Sequence, residues 1–254
     1  MHILITNDDG IDSPLLQILA QAASARGHRV TVSAPADQQS AKSHAFTISA
    51  PLFVREKTVS GAEEAWAVSG TPVDSCRIGM MGLTQDIDLV ISGINNGLNA
   101  GLATYVSGTV GAAREAAFQG YHAMAVSVEY DTPEAEVRLF ADYCVRTGEK
   151  LVNSEYPPMS VCNVNYPPVP WKEVRGAAIC PISKNIYRDT YERRVSPRGQ
   201  VYYWLRPMES YEELDPGSDM DLLEKGYITV TFLAPEVVDQ SRYADFPLQP
   251  EREP

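Results

Sequence analysis

Positive charge is scarce in this sequence: 21 Lys and Arg stand against 33 Asp and Glu, a formal net charge of −12. That deficit argues against an electrostatic grip on a nucleic-acid polymer or an anionic membrane face. It leaves room for a small phosphorylated substrate, because one bound cation reverses the local sign. Cysteine is sparse as well. The four cysteines, Cys76, Cys144, Cys162 and Cys180, form no Cys-x-x-Cys pair. Their wide spacing fits neither a zinc knuckle nor a disulfide scaffold and predicts reduced thiols in or near the core. Long apolar runs are missing, so no segment reaches the length of a bilayer span. The opening residues have no basic stretch before an apolar one, so no signal peptide is expected and a cytoplasmic location is. Three motifs are absent too: the Gly-x-Gly-x-x-Gly fingerprint, the Gly-Lys-Ser/Thr of a Walker A loop and the Gly-x-Ser-x-Gly elbow. No internal repeat is apparent.

What is present is an alternation of strand and helix patterns over 254 residues, enough for one large domain or a domain with an appendage. Strands are expected at 2–6, 29–34, 46–54, 87–91, 123–128 and 159–164. Helices are expected from Pro14 to Gly27, over 72–82, over 109–119 and over 134–150. Strands separated by helices rather than hairpin turns predict an α/β fold: a Rossmann-like, mostly parallel, doubly wound sheet. After residue 165 the texture changes, with Pro167, Pro168 and Pro170 in quick succession. The expected division is 1–165 as the catalytic α/β unit and 166–254 as a C-terminal part, the two integrated. In the second part, 183–206 reads as a projecting hairpin about Ser196-Pro197-Arg198-Gly199, 226–233 as a late strand, and the rest as an extended tail. The hairpin is rich in aromatic and basic residues, which suits a contact with another subunit; the alternative is an edge hairpin packed on its own domain.

The chemistry-bearing residues lie in turns that follow strands. Asp8 and Asp9 come directly after the first apolar run, in Asn7-Asp8-Asp9-Gly10. In an open α/β sheet ligands bind at the carboxyl ends of the strands. Two adjacent acids there repel each other, and a hard divalent cation relieves the repulsion. An Asx-turn and helix cap is the competing reading of this segment. In a parallel sheet, Ser40 and Asn95 fall on the same edge as Asp8 and Asp9. Two carboxylates, an amide oxygen and a hydroxyl are hard oxygen donors suited to Mg²⁺ or Mn²⁺; taken singly, Asn95 and Ser40 also read as a turn residue and a cap. Ser107-Gly108-Thr109 opens an alanine-rich helix and could seat a phosphate on free N–H groups, with capping as the alternative for Ser107. His44 lies close enough to the Ser40 loop to reach a substrate. His2, His28 and His122 read as structural, and Arg114 and Glu115 as packing or ion-pair residues.

Together these segments resemble the SurE family, the stationary-phase survival proteins. The resemblance rests on Asn7-Asp8-Asp9-Gly10 with Pro14, on Ala34-Pro35 with Gln39-Ser40, and on Gly70-Thr71-Pro72-Val73-Asp74. It continues in Ser92-Gly93-Ile94-Asn95 with Gly97, in Tyr105 with Ser107-Gly108-Thr109-Val110, in Ser218-Asp219 and in Gly226-Tyr227-Ile228-Thr229-Val230. It spans nearly the whole chain. It implies a metal-dependent phosphomonoesterase acting mainly on nucleoside 5'- or 3'-monophosphates, with short polyphosphate as a substrate of some members. It implies one Mg²⁺ or Mn²⁺ per subunit on Asp8, Asp9, Ser40 and Asn95, with Asp8 and Asp9 as the catalytic pair. Asn96, Ser107, Gly108 and Thr109 fall beside the phosphate. A homodimer or homotetramer built through the hairpin and tail is implied as well. Asn96 and Leu98 stand where many members carry Ala and Pro, a departure that bears on loop shape and base preference. A haloacid-dehalogenase-like covalent route would want Asp-x-Asp, whereas Asp8 and Asp9 are adjacent, so direct attack by water is the favoured expectation. A nucleotide-binding or sensory module without turnover is the alternative function, and an oligomeric scaffold a further one.

Overall fold

The computed structural model describes residues 1–185, 189–206 and 214–235. The first unit runs β1 (His2–Thr6), α1 (Pro14–Ala25), β2 (Arg29–Pro35), β3 (Val54–Lys57), β4 (Glu64–Val68), α2 (Pro72–Ile78), β5 (Leu89–Asn96), α3 (Ala103–Val106), α4 (Gly108–Phe118), β6 (His122–Val128), α5 (Glu134–Val152) and β7 (Val161–Asn165). A turn of π-helix, Gly79–Leu83, extends α2. The chain continues with β8 (Ala177–Ile179), β9 (Thr190–Val195), β10 (Val201–Arg206), α6 (Asp219–Glu224) and β11 (Ile228–Leu233).

Among the described residues nine strands form one sheet in the order β3-β4-β2-β1-β5-β6-β7-β11-β8. Within it only the β3–β4 and β7–β11 pairs are antiparallel, so the sheet is mostly parallel, as the alternating strand and helix patterns predict. From β1 the chain steps outward to β2 on one side, and β5 pairs with β1 on the other. The strand order therefore reverses between β1 and β5, which opens a crevice at their carboxyl ends. Strand alternation splits the core in two. Ile3 and Ile5 face α1 and α5 with Leu16, Leu19, Val137 and Phe140. Leu4 and Val90 face the opposite side, where Cys76, Val110, Ala112, Ala113 and Ala116 come from α2 and α4. The small side chains of α4 let it lie close to its neighbours. All four cysteines are free and buried. Among the described residues no helix is long and apolar enough to cross a membrane.

Several local expectations need correction. The alternating stretch 46–54 forms no strand before Val54. Asp74 captures both the N–H and the hydroxyl of Thr47, and the Ser43 hydroxyl donates to the Tyr105 carbonyl, so side-chain bonds replace a ladder there. The strand expected to stop at Ser92-Gly93 continues to Asn96 across a bulge between Ser92 and Asn95. Gly93 permits this: at φ +134° a Cβ there would lie 2.3 Å from the Val126 carbonyl oxygen. Within the expected hairpin 183–206 the described strands are β9 and β10, and Ser183 is buried with its N–H donating to Asp219. Among the described residues β9 and β10 pair only with each other. The expected tail after residue 235 and Tyr187 of the hairpin lie outside the described residues.

Candidate active site

The adjacent carboxylates sit where β1 ends, beside β5 and under the start of α4. Asp8 is 4% exposed. Its Oδ1 accepts the Thr109 hydroxyl at 2.5 Å and its Oδ2 the Thr109 N–H at 3.2 Å. Burial pushes the Asp8 carboxyl up to about 6; the charge of Asp9 adds to the rise and the Thr109 hydroxyl opposes it. Burial also raises Asp9, partly offset by the Asn96 N–H, which donates to its Oδ2 at 3.2 Å, and by the Gln38 side chain. Among the described residues no cationic side chain contributes to either carboxylate. Gly108 allows the close approach of α4, since a Cβ there would stand 3.0 Å from both Cβ and Oδ2 of Asp8.

Asn95 and the loop that carries Ser40 border this pair. Asn95 Oδ1 lies 3.4 Å from the Thr109 hydroxyl that binds Asp8, while its amide N–H donates to the Gly97 carbonyl at 2.6 Å. Ser40 is exposed, and its hydroxyl accepts from Gln38 Nε2 at 3.2 Å. The Ser40 loop is latched to the site through the Gln39 N–H, which donates to the Asp8 carbonyl at 2.7 Å. Ser107 caps α4, accepting the Val110 N–H at 3.1 Å. Thr109 is fully buried and directed at Asp8. The Asn96 side chain is exposed at the crevice.

His44 is turned elsewhere. Its Nε2 bonds Glu115 Oε2 at 2.9 Å and its ring stacks on Phe118. Glu115, 4% exposed, also accepts from Arg77 at 2.6 Å and Gln119 at 3.0 Å. Burial alone would raise Glu115, but these donors outweigh it and hold the carboxyl low. The network ties the 41–49 loop to α2 and α4. Asp74 works similarly: with Thr71 it completes a capping box on α2 and binds Thr47.

One residue escapes sequence reasoning, and a second, named there only within the motif Ser218-Asp219, takes its role from the structure. Gln38 bridges Ser40 and Asp9, although glutamine in a polar loop carries no pattern that singles it out. Asp219, wholly buried, accepts the Gly101 N–H at 2.7 Å and the Ser183 N–H at 2.8 Å. It thereby pins the loop between β5 and α4 to the C-terminal part. Asn99 holds the same loop against β6 and β7 through Ser127, Asn163 and Asn165.

Because the Thr109 hydroxyl holds the ionised form of Asp8, Thr109→Val is expected to raise the Asp8 pKa further, by about one unit or more, the worth of a charge-assisted hydrogen bond. Thr109→Ser should keep the parental value. Carbon-detected NMR titration of the Asp8 carboxyl in metal-free protein reads this directly. An unshifted titration in Thr109→Val would remove Thr109 from control of Asp8.

Comparison with known proteins places this geometry in context. Residues 3–189 match the family model described as Survival protein SurE. The chain is 41% identical over 245 residues to the 5'-nucleotidase SurE of Maridesulfovibrio salexigens, covering 96% of this chain and 97% of that one. It is 40% identical over 250 residues to the 5'-nucleotidase SurE of a Synechococcus strain, covering 97% and 95%. Its fold is similar to the crystal structure of the SurE protein from Aquifex aeolicus, with a TM-score of 0.79, 28% identity and coverage of 96% and 97%.

Proposed function

The chain belongs to the SurE family, and from that membership we propose that it is a metal-dependent phosphomonoesterase that hydrolyses nucleoside monophosphates to nucleoside and inorganic phosphate. The observation that carries the reading is the pair Asp8 and Asp9, drawn from water at the strand-order reversal, with no Lys or Arg among the described residues contributing to their titration. Such a pair is costly unless a divalent ion occupies the site.

The residues fit that ion. Two carboxylates, the Asn95 amide oxygen and the Ser40 hydroxyl form an all-oxygen set suited to one Mg²⁺ or Mn²⁺ per subunit. Among the described residues no group of three or more His, Cys, Asp or Glu side chains is placed to hold a metal, so the set is complete only with the amide and hydroxyl oxygens of Asn95 and Ser40. When bound, the cation supplies charge stabilisation to the phosphoryl group and lowers the cost of deprotonating water. Asp8, fixed by Thr109, would hold the ion and orient the attacking water, and Asp9 would hold the ion with it. Asn96, Ser107, Gly108 and Thr109 form the phosphate side, where the N-terminal end of α4 favours negative charge. Water attacks phosphorus, the ester P–O bond breaks, and the leaving oxygen takes a proton. Direct attack is favoured over a covalent aspartyl-phosphate because Asp8 and Asp9 are adjacent, whereas the haloacid-dehalogenase arrangement has Asp-x-Asp.

The test is phosphate release from a panel of 5'- and 3'-monophosphates of each base with Mg²⁺ and with Mn²⁺. Nucleotide binding without release would favour a sensory module instead. The four unpaired thiols fit a reducing compartment, the cytoplasm.

The active form proposed is a homodimer or homotetramer. β9 and β10 make an isolated ribbon, which is marginal by itself in water, and Tyr191, Tyr203 and Trp204 are each at least 60% exposed on it. Aromatic and Arg side chains of this kind are enriched in interface cores. Replacing 190–206 by a short Gly/Ser turn is expected to lower the mass in light scattering toward the 27.9 kDa of one chain. A variant that keeps the parental mass would place assembly elsewhere.

A further inference from the structure

The carboxylate of Asp219 holds two separate parts of the chain, one with each oxygen. Its Oδ2 accepts the Gly101 N–H at 2.7 Å, and its Oδ1 accepts the N–H groups of Ser183 and Met220, each at 2.8 Å. Resting on the phosphatase reading, we infer that Asp219 is a positioning residue for phosphate binding. Through Gly101 it sets where the chain enters α3 and α4, and so where Ser107, Gly108 and Thr109 stand.

Three observations carry this. The first is the route from Gly101 to the phosphate side. The Gly101 carbonyl accepts the Thr104 N–H at 3.3 Å and the Thr104 hydroxyl at 2.9 Å, and the Ala103 carbonyl accepts the Ser107 N–H at 3.0 Å. A shift of Gly101 therefore moves α3 and, directly after it, the cap of α4. The second is packing. Gly101 takes φ +55°, and a Cβ there would stand 3.0 Å from Met220 Sδ and 3.4 Å from the Ser183 carbonyl oxygen. The loop thus lies directly on α6 and on Ser183, with no side chain of its own between. The third is where the clamp acts. Asn95 and Asn96 precede it and have their own anchor: the Gly97 N–H donates to the Val128 carbonyl at 2.8 Å, and Asn99 is bonded to Ser127 and Asn165 on β6 and β7. Asp8 and Asp9 follow β1. Loosening Asp219 disturbs the phosphate side and spares the metal side.

The grip needs a carboxylate. Donors arriving from both sides require two acceptor oxygens, which Asp has and Asn lacks. Burial raises the Asp219 carboxyl, and the Gly101, Ser183 and Met220 N–H groups oppose that rise. Asn in this place can hold Gly101, or Ser183 and Met220, but not both sets. Its amide NH2 then meets an N–H that it cannot accept. Asp219 also opens α6, where the Ser218 hydroxyl caps the helix by accepting the Asp221 N–H at 3.4 Å. A change at Ser218 therefore weakens the same helix while leaving the Gly101 bond in place.

The experiment measures the Kd of inorganic phosphate by calorimetry with Mg²⁺ saturating, the Kd of Mg²⁺ itself, and KM and kcat for AMP. The proteins are the parent, Asp219→Asn, Gly101→Ala, the double variant and Ser218→Ala. Asp219→Asn and Gly101→Ala should each raise the phosphate Kd at least about fivefold, since small displacements of binding groups are costly. KM for AMP should rise with it more than kcat falls, and the Mg²⁺ Kd should stay near the parental value. The double variant should add little, because both changes loosen one contact. Ser218→Ala lowers the melting temperature through the lost cap and should keep the parental phosphate Kd, which separates positioning from stability. A parental phosphate Kd in folded Asp219→Asn, or an equal rise in Ser218→Ala, overturns the inference. If Asp219→Asn does not fold, Gly101→Ala decides by the same criterion. A parent that binds phosphate but hydrolyses no monophosphate overturns the phosphatase reading alone, and the phosphate Kd values still judge the clamp. A parent that binds no phosphate overturns both.

Discussion

Replacing Asp8 by Asn is expected to lower kcat for nucleotide hydrolysis by at least about 10²–10³-fold, the cost of removing one group that organises charge at a phosphoryl centre. The metal-free chain should at the same time become more stable at neutral pH. Burial and the charge of Asp9 lift the folded Asp8 carboxyl from its ordinary 3.8 to about 6. A carboxyl raised in this way keeps its proton longer in the folded chain than in the unfolded one. The resulting stability is fully present below about pH 4 and is lost as pH rises through about 6. Two pH units of separation correspond to roughly 3 kcal/mol at neutral pH. Thr109 donates to two different Asp8 oxygens, and Asn keeps only one of them as an acceptor, which returns about 1 kcal/mol or more. The net gain is about 1–2 kcal/mol, a rise in melting temperature of about 2–4 °C for each kcal/mol in a chain of this size. Steady-state rates with saturating Mn²⁺, and melts in chelator at pH 5 and pH 8, make the two measurements. A variant that keeps kcat within a few-fold of the parent sinks the assigned role. A melting temperature that falls at pH 8 shows that the lost bonds to Thr109 outweigh the relieved charge.

Removal of the metal should be as severe as losing Asp8. Excess chelator is expected to bring phosphate release to background, and Mg²⁺ or Mn²⁺ should restore it. Because the ion binds the folded site and not the unfolded chain, a concentration 100 times its Kd should add about 2.7 kcal/mol of stability. Protons compete for the same carboxylates, so affinity should weaken as pH falls toward 6, where Asp8 takes up its proton. Anomalous scattering from Mn²⁺-soaked crystals locates the ion, and the expected peak lies among Asp8, Asp9, Ser40 and Asn95. Turnover that survives chelation would end the metal-dependent reading. A peak on His44 or on a cysteine would replace the oxygen set.

Much of this is legible along the chain, for reasons that differ from residue to residue. Ile3, Leu4 and Ile5 announce a buried strand through composition, and Pro14 and Gly27 bracket a helix through their backbone preferences. β4, β8 and α6 are less visible. They are short, and β8 and β4 mix polar, small and exposed positions, so their periodicity is weak; they form because neighbouring strands and loops complete their bonds. The stretch 46–54 shows the reverse error. Its alternation is that of a strand, yet Ile48 is 85% exposed and Thr47 is held by Asp74, 27 residues away. His44 sits near the Ser40 loop in the chain but is committed to Glu115, 71 residues on.

The sequence by itself determines the alternation of strands and helices, the deficit of basic charge, the reduced thiols and the paired acids after the first strand. All of these rest on composition or on spacings of a few residues. Only the tertiary structure decides that α4 reaches over β1 so that Thr109 grips Asp8, that Gln38 spans Ser40 and Asp9, and that Asp219 joins Gly101 to Ser183. Each depends on which strand lies beside which and on how closely α4 can approach. Asp8 and Thr109 are 101 residues apart in the chain, and their 2.5 Å contact exists only because β1 and β5 are neighbours and Gly108 has no side chain to hold them off.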